Sequence, residues 1–357
     1  MSKPDLSVII PVYNGADTIG TCLDSILRQN GMRDNEIVVI NDGSRDETGK
    51  IVRQYQSQHD NILLLNQKNA GVSTARNNGI DISSGKYVSF VDADDTVGLS
   101  WESMKPYFDS YDTRFSDRCG LKISHRQFDT MPEFDLVADN DFYARMLTAA
   151  LKYKADIALA GKITFNYDAK YIRRHMYDKT RLFEDTTPDK RALLIHADVR
   201  ENANFALYDR DFLNRSNLRF ETAMPLDEDI LFTMLAVLHA SAVVSVPESA
   251  YVYNRCVGTA SNIIDTTESE IKYARAIVQR FSKLLPQLAV RPEWAALYTE
   301  WLREYWGQGH DSSHLREYMP NDGCISCDCA TCGDCIMRQI LDEKNAAAQR
   351  ELFQKQR

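Results

Sequence analysis

The sequence predicts an α/β fold with an open, mostly parallel sheet, followed by a helical, cysteine-rich C-terminal extension. Short apolar runs alternate with amphipathic segments through the first hundred residues, and polar turns follow the runs. Five of the eight cysteines fall within residues 324–335. Alternating strands and helices are typical of a parallel sheet that helices cover on both faces.

Four apolar runs are expected to form the buried parallel strands. They are residues 6–12 (LSVIIPV), 36–40 (EIVVI), 62–65 (ILLL) and 87–91 (YVSFV). Apolar residues at helical spacing predict the connecting helices, at 17–29, 47–59 and around 76–80. Ligands of such sheets bind beyond the carboxyl ends of the strands, so we expect the functional site in the turns that follow these runs.

Regularity stops after the fourth strand. Residues 98–136 show no clean period and are expected to form an insertion over the sheet. Further elements are expected as a helix at 139–153, a strand at 156–160, a helix at 226–240, a strand at 242–246, and helices within 267–305 and from 336 onward. The chain therefore divides into a first domain at 1–265 and an extension at 266–357.

Charge and hydropathy exclude several classes of protein. The 357 residues carry 42 Lys and Arg against 51 Asp and Glu, a formal charge of −9, which argues against a nucleic-acid partner. No basic and apolar leader precedes Leu6, and polar residues interrupt the longest apolar stretch, 230–246. A spanning helix needs about 20 apolar residues, so we expect a cytoplasmic protein.

The strongest chemical signal is the turn Asp92-Ala93-Asp94-Asp95, which directly follows the fourth run. Hard cations such as Mg²⁺ and Mn²⁺ take oxygen ligands and commonly lie between carboxylates and substrate phosphates. A diphosphate would need such a cation to approach these aspartates. Taken alone, the same pattern also fits a solvated acidic turn.

Three other turns reach the same edge of the predicted sheet. Tyr13 offers a ring for stacking on a base, Asp42 an acceptor for a base N–H, and Arg76 a cation for phosphate. Each has a plain alternative as a core tyrosine, a turn aspartate or a surface arginine. Because the turns converge with the acidic one, together they predict a nucleotide site.

The ordered segments VIIPVYN, INDGSRD, NAGVSTARNNG and FVDADD resemble the family-two glycosyltransferases of the GT-A fold. The resemblance covers residues 5–96 and resumes more loosely over 140–262. It implies an inverting, metal-assisted transfer of sugar from a nucleotide sugar, expected to be a UDP-sugar, to a hydroxyl of a glycan or lipid-linked glycan. It also implies Mn²⁺ or Mg²⁺ as the cofactor and a place of action at the inner membrane face.

The resemblance assigns roles to individual residues. Asp94 would ligate the metal with Asp92 nearby, and Asp229, the second acid of Glu228-Asp229, would be the general base. The alternative for this pair is simple complementation of a helix dipole. The residues assigned to donor binding are Pro11, Tyr13, Asp42, Arg76, Asp92, Ala93 and Arg255.

Two features depart from the family pattern. The 98–136 connection is longer than usual, and Asn204 opens a segment, NFALY, that lacks the Trp and Lys often found before its Leu-Tyr. Both features leave the acceptor undetermined. They do not touch the residues assigned to the donor.

The cysteine cluster lies outside the resemblance. Its spacing is C-x2-C-x-C-x2-C-x2-C, and thiolates at such spacing favour Zn²⁺ ahead of an iron–sulfur cluster. Disulfides or free thiols remain alternatives. The five residues are Cys324, Cys327, Cys329, Cys332 and Cys335.

Two other functions remain as alternatives. A sugar nucleotidyltransferase would need a Gly-rich, basic loop after the first strand, and PVYNGAD is not one. A non-catalytic scaffold that keeps the nucleotide pocket and acts through its cysteine-rich tail would have no need of Asp94 and Asp229. The expected partners are a donor, a glycan acceptor and, through the terminal helix, a second copy of the chain.

Overall fold

The four apolar runs form the parallel half of the sheet in the computed structural model, which describes residues 3–107, 113–116, 121–184, 203–222 and 228–255. The strands are β1 (Leu6–Val12), β2 (Glu36–Asn41), β3 (Ile62–Asn66) and β4 (Tyr87–Phe90). They lie in the order β3–β2–β1–β4, and every neighbouring pair is parallel. Every residue of β1 is buried, as a central strand covered on both faces requires.

Three helices connect these strands. They are α1 (Ile19–Leu27), α2 (Thr48–Gln56) and α3 (Val72–Ile82). On α3 the buried residues Ser73, Arg76 and Ile80 recur at helical spacing, so one stripe of the helix faces the protein interior. This stripe brings the guanidinium of Arg76 inside the protein rather than to its surface.

Residues 98–136 were expected to lie over the sheet, and this prediction is wrong. Much of the segment forms strands of the sheet itself. It contributes β5 (Thr96–Ser100), a short α4 (Trp101–Met104), β6 (Thr113–Ser116) and β7 (Leu121–Gln127). β6 pairs with β7, and β7 pairs with a later strand, both antiparallel. Antiparallel strands near a sheet edge do not need the continuous apolar run that marks a doubly buried strand.

The second half of the sheet is mixed rather than parallel. Its elements are α5 (Phe142–Tyr153), β8 (Ile157–Asn166), β9 (Tyr171–Tyr177), β10 (Arg181–Glu184), β11 (Ala206–Asp209), α6 (Arg210–Arg215), α7 (Glu228–His239) and β12 (Ala242–Arg255). The strand order continues β4–β11–β8–β9–β7–β6, while β12 pairs with β8, β5 and β10. Two strands expected to end at residues 160 and 246 therefore run on to 166 and 255.

Two hydrophobic clusters hold this sheet. The larger lies around β1 and α1 and includes Ile10, Cys22 and Tyr251, and the smaller lies around Ile163 and Phe165 on the added strands. All described residues belong to one of two compact units of the chain. The whole of the 266–357 extension belongs to the other unit, which lies outside the described residues, so the 1–265 boundary remains a prediction.

Within the described ranges, no helix is both long enough and apolar enough to cross a membrane.

Candidate active site

The four polar turns of the parallel half meet at one edge of the sheet. The register pairs Val12 with Asn41 and Asn41 with Asn66, so the ends of β1, β2 and β3 are level. Pro11 is buried within β1, whereas Tyr13, just beyond the strand, is 48% exposed. The turn after β4 reaches the same edge, as the sequence predicted for a crevice at the strand ends.

Backbone and side-chain hydrogen bonds tie the first two turns together. The Asn14 N–H donates to Ser44 Oγ at 2.9 Å, and the Arg45 N–H donates to Asn14 Oδ1 at 2.8 Å. The Gly15 N–H donates to Thr48 Oγ1 at 2.9 Å. These contacts fix the chain just after Tyr13, and β1 fixes it just before, while the Tyr13 side chain stays accessible.

Asp42 anchors the third turn. Its Oδ1 accepts from Gln67 Nε2 and from the Ala70 N–H, each at 2.8 Å, and its Oδ2 accepts from the Gly71 N–H at 2.9 Å. The residue is only 4% exposed. A carboxylate has about four lone-pair positions, so these three donors leave one for a ligand. The base contact expected of Asp42 remains a prediction.

Arg76 joins the acidic turn to α7. Its Nη2 lies 2.7 Å from Asp92 Oδ1, its Nη1 lies 2.8 Å from Glu228 Oε1, and the side chain is 3% exposed. Burial opposes the charged guanidinium, but the carboxylates of Asp92, Glu228 and Asp229 outweigh it and raise the pKa of Arg76. The described contacts of Arg76 are thus internal, and its expected contact with the donor remains a prediction.

Asp92 has a second partner that sequence reasoning missed. Asn204 Nδ2 donates to Asp92 Oδ2 at 2.7 Å, while the Asp92 N–H donates to Tyr251 Oη at 3.3 Å. Ala93, next along the turn, packs against the larger hydrophobic cluster. The available sequence signal was Asn204 itself, a single amide within the otherwise apolar run ANFALY.

Asp95 ties the acidic turn to β12. It is fully buried and accepts from Tyr251 Oη at 2.5 Å and from the Asn254 N–H at 2.8 Å. Burial, followed by the charges of Asp92 and Asp94, raises the pKa of Asp95 well above its usual range. The Asn254 contact places the backbone of Arg255 next to the acidic turn, and the donor contact expected of Arg255 remains a prediction.

Asp94 has the properties of a cation ligand. Its side chain is exposed, but partial desolvation and then the charge of Asp92 raise the pKa of Asp94 to about 6. Among the described residues no group of three or more potential ligands could hold a metal by itself. A cation completed by a diphosphate and water needs only one or two carboxylates, so this donor set fits Mg²⁺ or Mn²⁺.

The two acids at the start of α7 differ in environment. Glu228 is 7% exposed and its carboxylate is bound to Arg76, whereas Asp229 is half-buried. Asp229 is close enough for its charge to act on Arg76. The structure therefore brings both predicted catalytic acids to the acidic turn. The five clustered cysteines lie outside the described residues.

Comparisons with known proteins agree with this geometry. Residues 7–114 match the family model described as "Glycosyl transferase family 2". The chain is 50% identical to the "Uncharacterized glycosyltransferase YibD" of Escherichia coli over 96 residues, 27% of this chain and 28% of YibD. It is 28% identical to "Glycosyltransferase GlyA" of Streptococcus pneumoniae over 298 residues, 80% of this chain and 34% of GlyA.

A solved structure shares the fold. The crystal structure of S. aureus TarS 1–349 in complex with UDP-GlcNAc has a TM-score of 0.61 at 17% identity, over 85% of this chain and 73% of TarS 1–349. Residues 7–114 are therefore similar to the family 2 glycosyltransferases, and 85% of the chain shares the fold of TarS 1–349. Its matches span 28% of YibD and 34% of GlyA, about a third of those proteins at most.

Proposed function

We propose that this protein is an inverting glycosyltransferase that moves a sugar from a UDP-sugar to a hydroxyl of a glycan or lipid-linked glycan. The observation that carries the proposal is the bridge from Asp92 through Arg76 to Glu228, with distances of 2.7 and 2.8 Å. The bridge brings the start of α7 to the acidic turn. A general base and a donor site must be this close for direct transfer of a sugar.

Asp229 is assigned as the general base and Glu228 as a buried support. The Glu228 carboxylate is committed to Arg76 and nearly inaccessible, whereas Asp229 retains solvent access. A base must reach the proton that it removes within about 3 Å. Of the pair, Asp229 is the acid that an acceptor hydroxyl can approach, since Glu228 is buried against Arg76.

The reaction that follows is a single displacement. The acceptor oxygen forms a bond to the anomeric carbon from the face opposite the diphosphate, and its proton passes to the Asp229 carboxylate. The bond between the anomeric carbon and the phosphate oxygen breaks, and its electron pair leaves with UDP. The attack from the opposite face inverts the configuration at that carbon.

Asp94 would hold the divalent cation, Mn²⁺ or Mg²⁺, with Asp92 nearby. When bound, the cation supplies positive charge to the diphosphate leaving group. The chain itself offers Tyr13 for stacking on the base, Asp42 for a base N–H and Arg255 beside the diphosphate. Buried Arg76 would serve the donor indirectly, by fixing Asp92.

The choice of partners rests on the relatives. TarS, which shares the fold, was crystallised with UDP-GlcNAc, which supports a uridine nucleotide here. A glycan or lipid-linked glycan is the proposed acceptor class, and we propose that it is used at the cytoplasmic membrane face. A second copy of the chain remains a candidate partner.

The test is a binding and activity panel. Thermal shift with UDP, UDP-GlcNAc, UDP-glucose, UDP-galactose and GDP-mannose, with and without Mn²⁺, ranks the donors, because ligands that bind only the folded state raise its melting temperature. Hydrolysis or transfer of the best donor is then measured for Asp94→Ala and Asp229→Asn. Both variants should lose at least about a hundredfold in rate.

The matched control is Asp81→Asn, which changes an exposed aspartate paired with Arg219. It should keep the wild-type rate, since exposed ion pairs contribute about 0–1 kcal/mol. Normal rates for both site variants would refute the proposal. Pyrophosphate release from UTP and a sugar phosphate would instead indicate a nucleotidyltransferase. Absence of UDP-sugar hydrolysis across the donor panel with Mn²⁺ would favour the nucleotide-binding scaffold.

We also propose that the five clustered cysteines bind a structural Zn²⁺, with an iron–sulfur cluster as the lesser alternative. The support is their spacing and the preference of thiolates for these metals. Elemental analysis of the purified protein should find about one zinc per chain, and Cys327→Ser with Cys332→Ser should remove it. Unchanged zinc in that variant would contradict the site.

A further inference from the structure

We propose that Asn204 and Tyr251 are positioning residues that orient Asp92 toward the transferred sugar. The inference rests on the proposed function and deepens it. Neither residue belongs to the acidic turn. Asn204 lies two residues before β11, and Tyr251 lies within β12. Both side chains therefore reach the acidic turn from the second half of the sheet.

The Asp92 carboxylate is held at both oxygens. Arg76 Nη2 donates to Oδ1 and Asn204 Nδ2 donates to Oδ2, each at 2.7 Å. Two donors on opposite oxygens fix the plane of a carboxylate, because rotation about its bond to Cβ would break both hydrogen bonds. The remaining lone pairs of Asp92 therefore keep one direction.

Tyr251 fixes the donor atom of Asn204 in turn. Tyr251 Oη lies 3.3 Å from Asn204 Nδ2 and 3.3 Å from the Asp92 N–H, and it donates its own proton to Asp95 at 2.5 Å. The hydroxyl therefore accepts from the amide and cannot donate to it. If the Asn204 amide were flipped, its carbonyl oxygen would face Tyr251 Oη and the Asp92 carboxylate. Both of these groups accept a hydrogen bond from Asn204 Nδ2, so the flip would remove both hydrogen bonds.

Burial separates these two residues from the donor. Asn204 is 1% exposed and Tyr251 is fully buried, whereas the side chain of Asp92 is 29% exposed. A ligand in the crevice can touch Asp92, but not the residues behind it. Asn204 and Tyr251 thus act through Asp92.

The Asp92 carboxylate faces the sugar of the donor rather than its nucleoside. One guanidinium, that of Arg76, separates Asp92 from Glu228, and Asp229 adjoins Glu228. The anomeric carbon has to lie beside the base Asp229 for proton transfer to accompany attack. The Asp92 carboxylate, which lies near Glu228 and Asp229, therefore faces the sugar. Tyr13 and Asp42 lie on the side of the nucleobase.

The experiment separates binding of the nucleotide from binding of the sugar. Affinities for UDP and for the UDP-sugar that the wild type binds most tightly are measured by calorimetry with Mn²⁺, for Asn204→Ala, Asn204→Asp and Tyr251→Phe. Each variant should bind UDP within about twofold of wild type. Each should bind the UDP-sugar about tenfold more weakly, the value of one hydrogen bond to a charged group.

A double variant tests whether Asn204 acts through Asp92. In an Asp92→Ala background, Asn204→Ala should change the affinity for the UDP-sugar by less than about twofold, because the acceptor of its hydrogen bond is gone. Tyr87→Phe is the matched control, since it removes the hydroxyl of another buried tyrosine, which donates to Ala155 O. It should leave both affinities unchanged.

The outcomes are distinguishable. Equal losses for UDP and UDP-sugar, or additive effects in the double variant, would mean a purely structural role and overturn the inference. Wild-type affinities in all three variants would overturn it as well. If the wild type bound no nucleotide at all, the proposed function would fail and the inference with it.

Discussion

Arg76 and Glu228 are 152 positions apart in the chain, yet their side chains lie 2.8 Å apart in a buried ion pair. The same guanidinium binds Asp92 at 2.7 Å and stands 5.0 Å from the centre of the Phe220 ring. The acidic turn, α3 and α7 therefore depend on a single side chain. Four predictions follow from this and from the neighbouring turns.

Arg76→Lys should lower both stability and activity. An ammonium offers a point charge and cannot span two carboxylates as a planar guanidinium does. One of the two acids would be left without its partner inside the protein, and breaking a buried pair costs about 3–5 kcal/mol. Urea unfolding measures the loss, and the control Arg219→Lys, at a partly exposed pair with Asp81, should change the free energy of unfolding by less than about 1 kcal/mol.

The neighbouring acids Glu228 and Asp229 should separate into two phenotypes. Asp229→Asn should lower kcat about 10²- to 10⁴-fold and lower the melting temperature less than Glu228→Gln does, because it removes the base at a half-buried rather than a buried position. Glu228→Gln keeps the shape of the side chain but removes the charge that faces Arg76, so it should lower the melting temperature. If both variants lost kcat equally and kept the wild-type stability, the assignment of a catalytic role to Asp229 and a structural role to Glu228 would be contradicted.

Asp42→Asn should loosen the turn between β3 and α3. Asn offers one acceptor oxygen and an NH₂ group, so at least one of the three donors from Gln67, Ala70 and Gly71 would lose its partner. The Ala70 and Gly71 amides should then exchange with solvent deuterium faster, and stability should fall by about 1–3 kcal/mol. Asp24→Asn, at an exposed contact with the Tyr55 hydroxyl, is the control and should leave those amides unchanged.

Gly43→Ala should be more damaging than Gly31→Ala. Both glycines have left-handed backbone, with φ of 78° at Gly31 and 76° at Gly43. A Cβ at Gly43 would lie 2.8 Å from the Asn69 backbone nitrogen, whereas a Cβ at Gly31 would meet no atom within 4 Å. Gly31→Ala should cost about 1–2 kcal/mol from backbone strain alone, and Gly43→Ala should cost more and also weaken UDP binding. If thermal unfolding gave the same loss of stability for Gly43→Ala and Gly31→Ala, the close approach of the Gly43 turn to the Asn69 turn would be contradicted.

Sequence reasoning performed best where chemistry and periodicity were local. The continuous apolar runs located β1 to β4, because a strand covered on both faces must be apolar at every position. It performed worst after Asp95, where β5, β6 and β7 have no such run and were expected to lie over the sheet. The predicted strand at 242–246 is also shorter than β12, which runs to Arg255. The later residues of β12, including Tyr251, mix polar and apolar side chains and therefore lack an apolar run.

The sequence by itself determined the α/β class, the four turns at the sheet edge, the acidic motif with Asp94, and the two acids at the start of α7. Only the tertiary structure decided which of those acids is committed to Arg76, what holds Asp42, and that Asn204 and Tyr251 support Asp92. Strands and turns follow from patterns among neighbouring residues. A hydrogen bond between residues 112 positions apart, as from Asn204 to Asp92, depends on how the whole sheet is ordered.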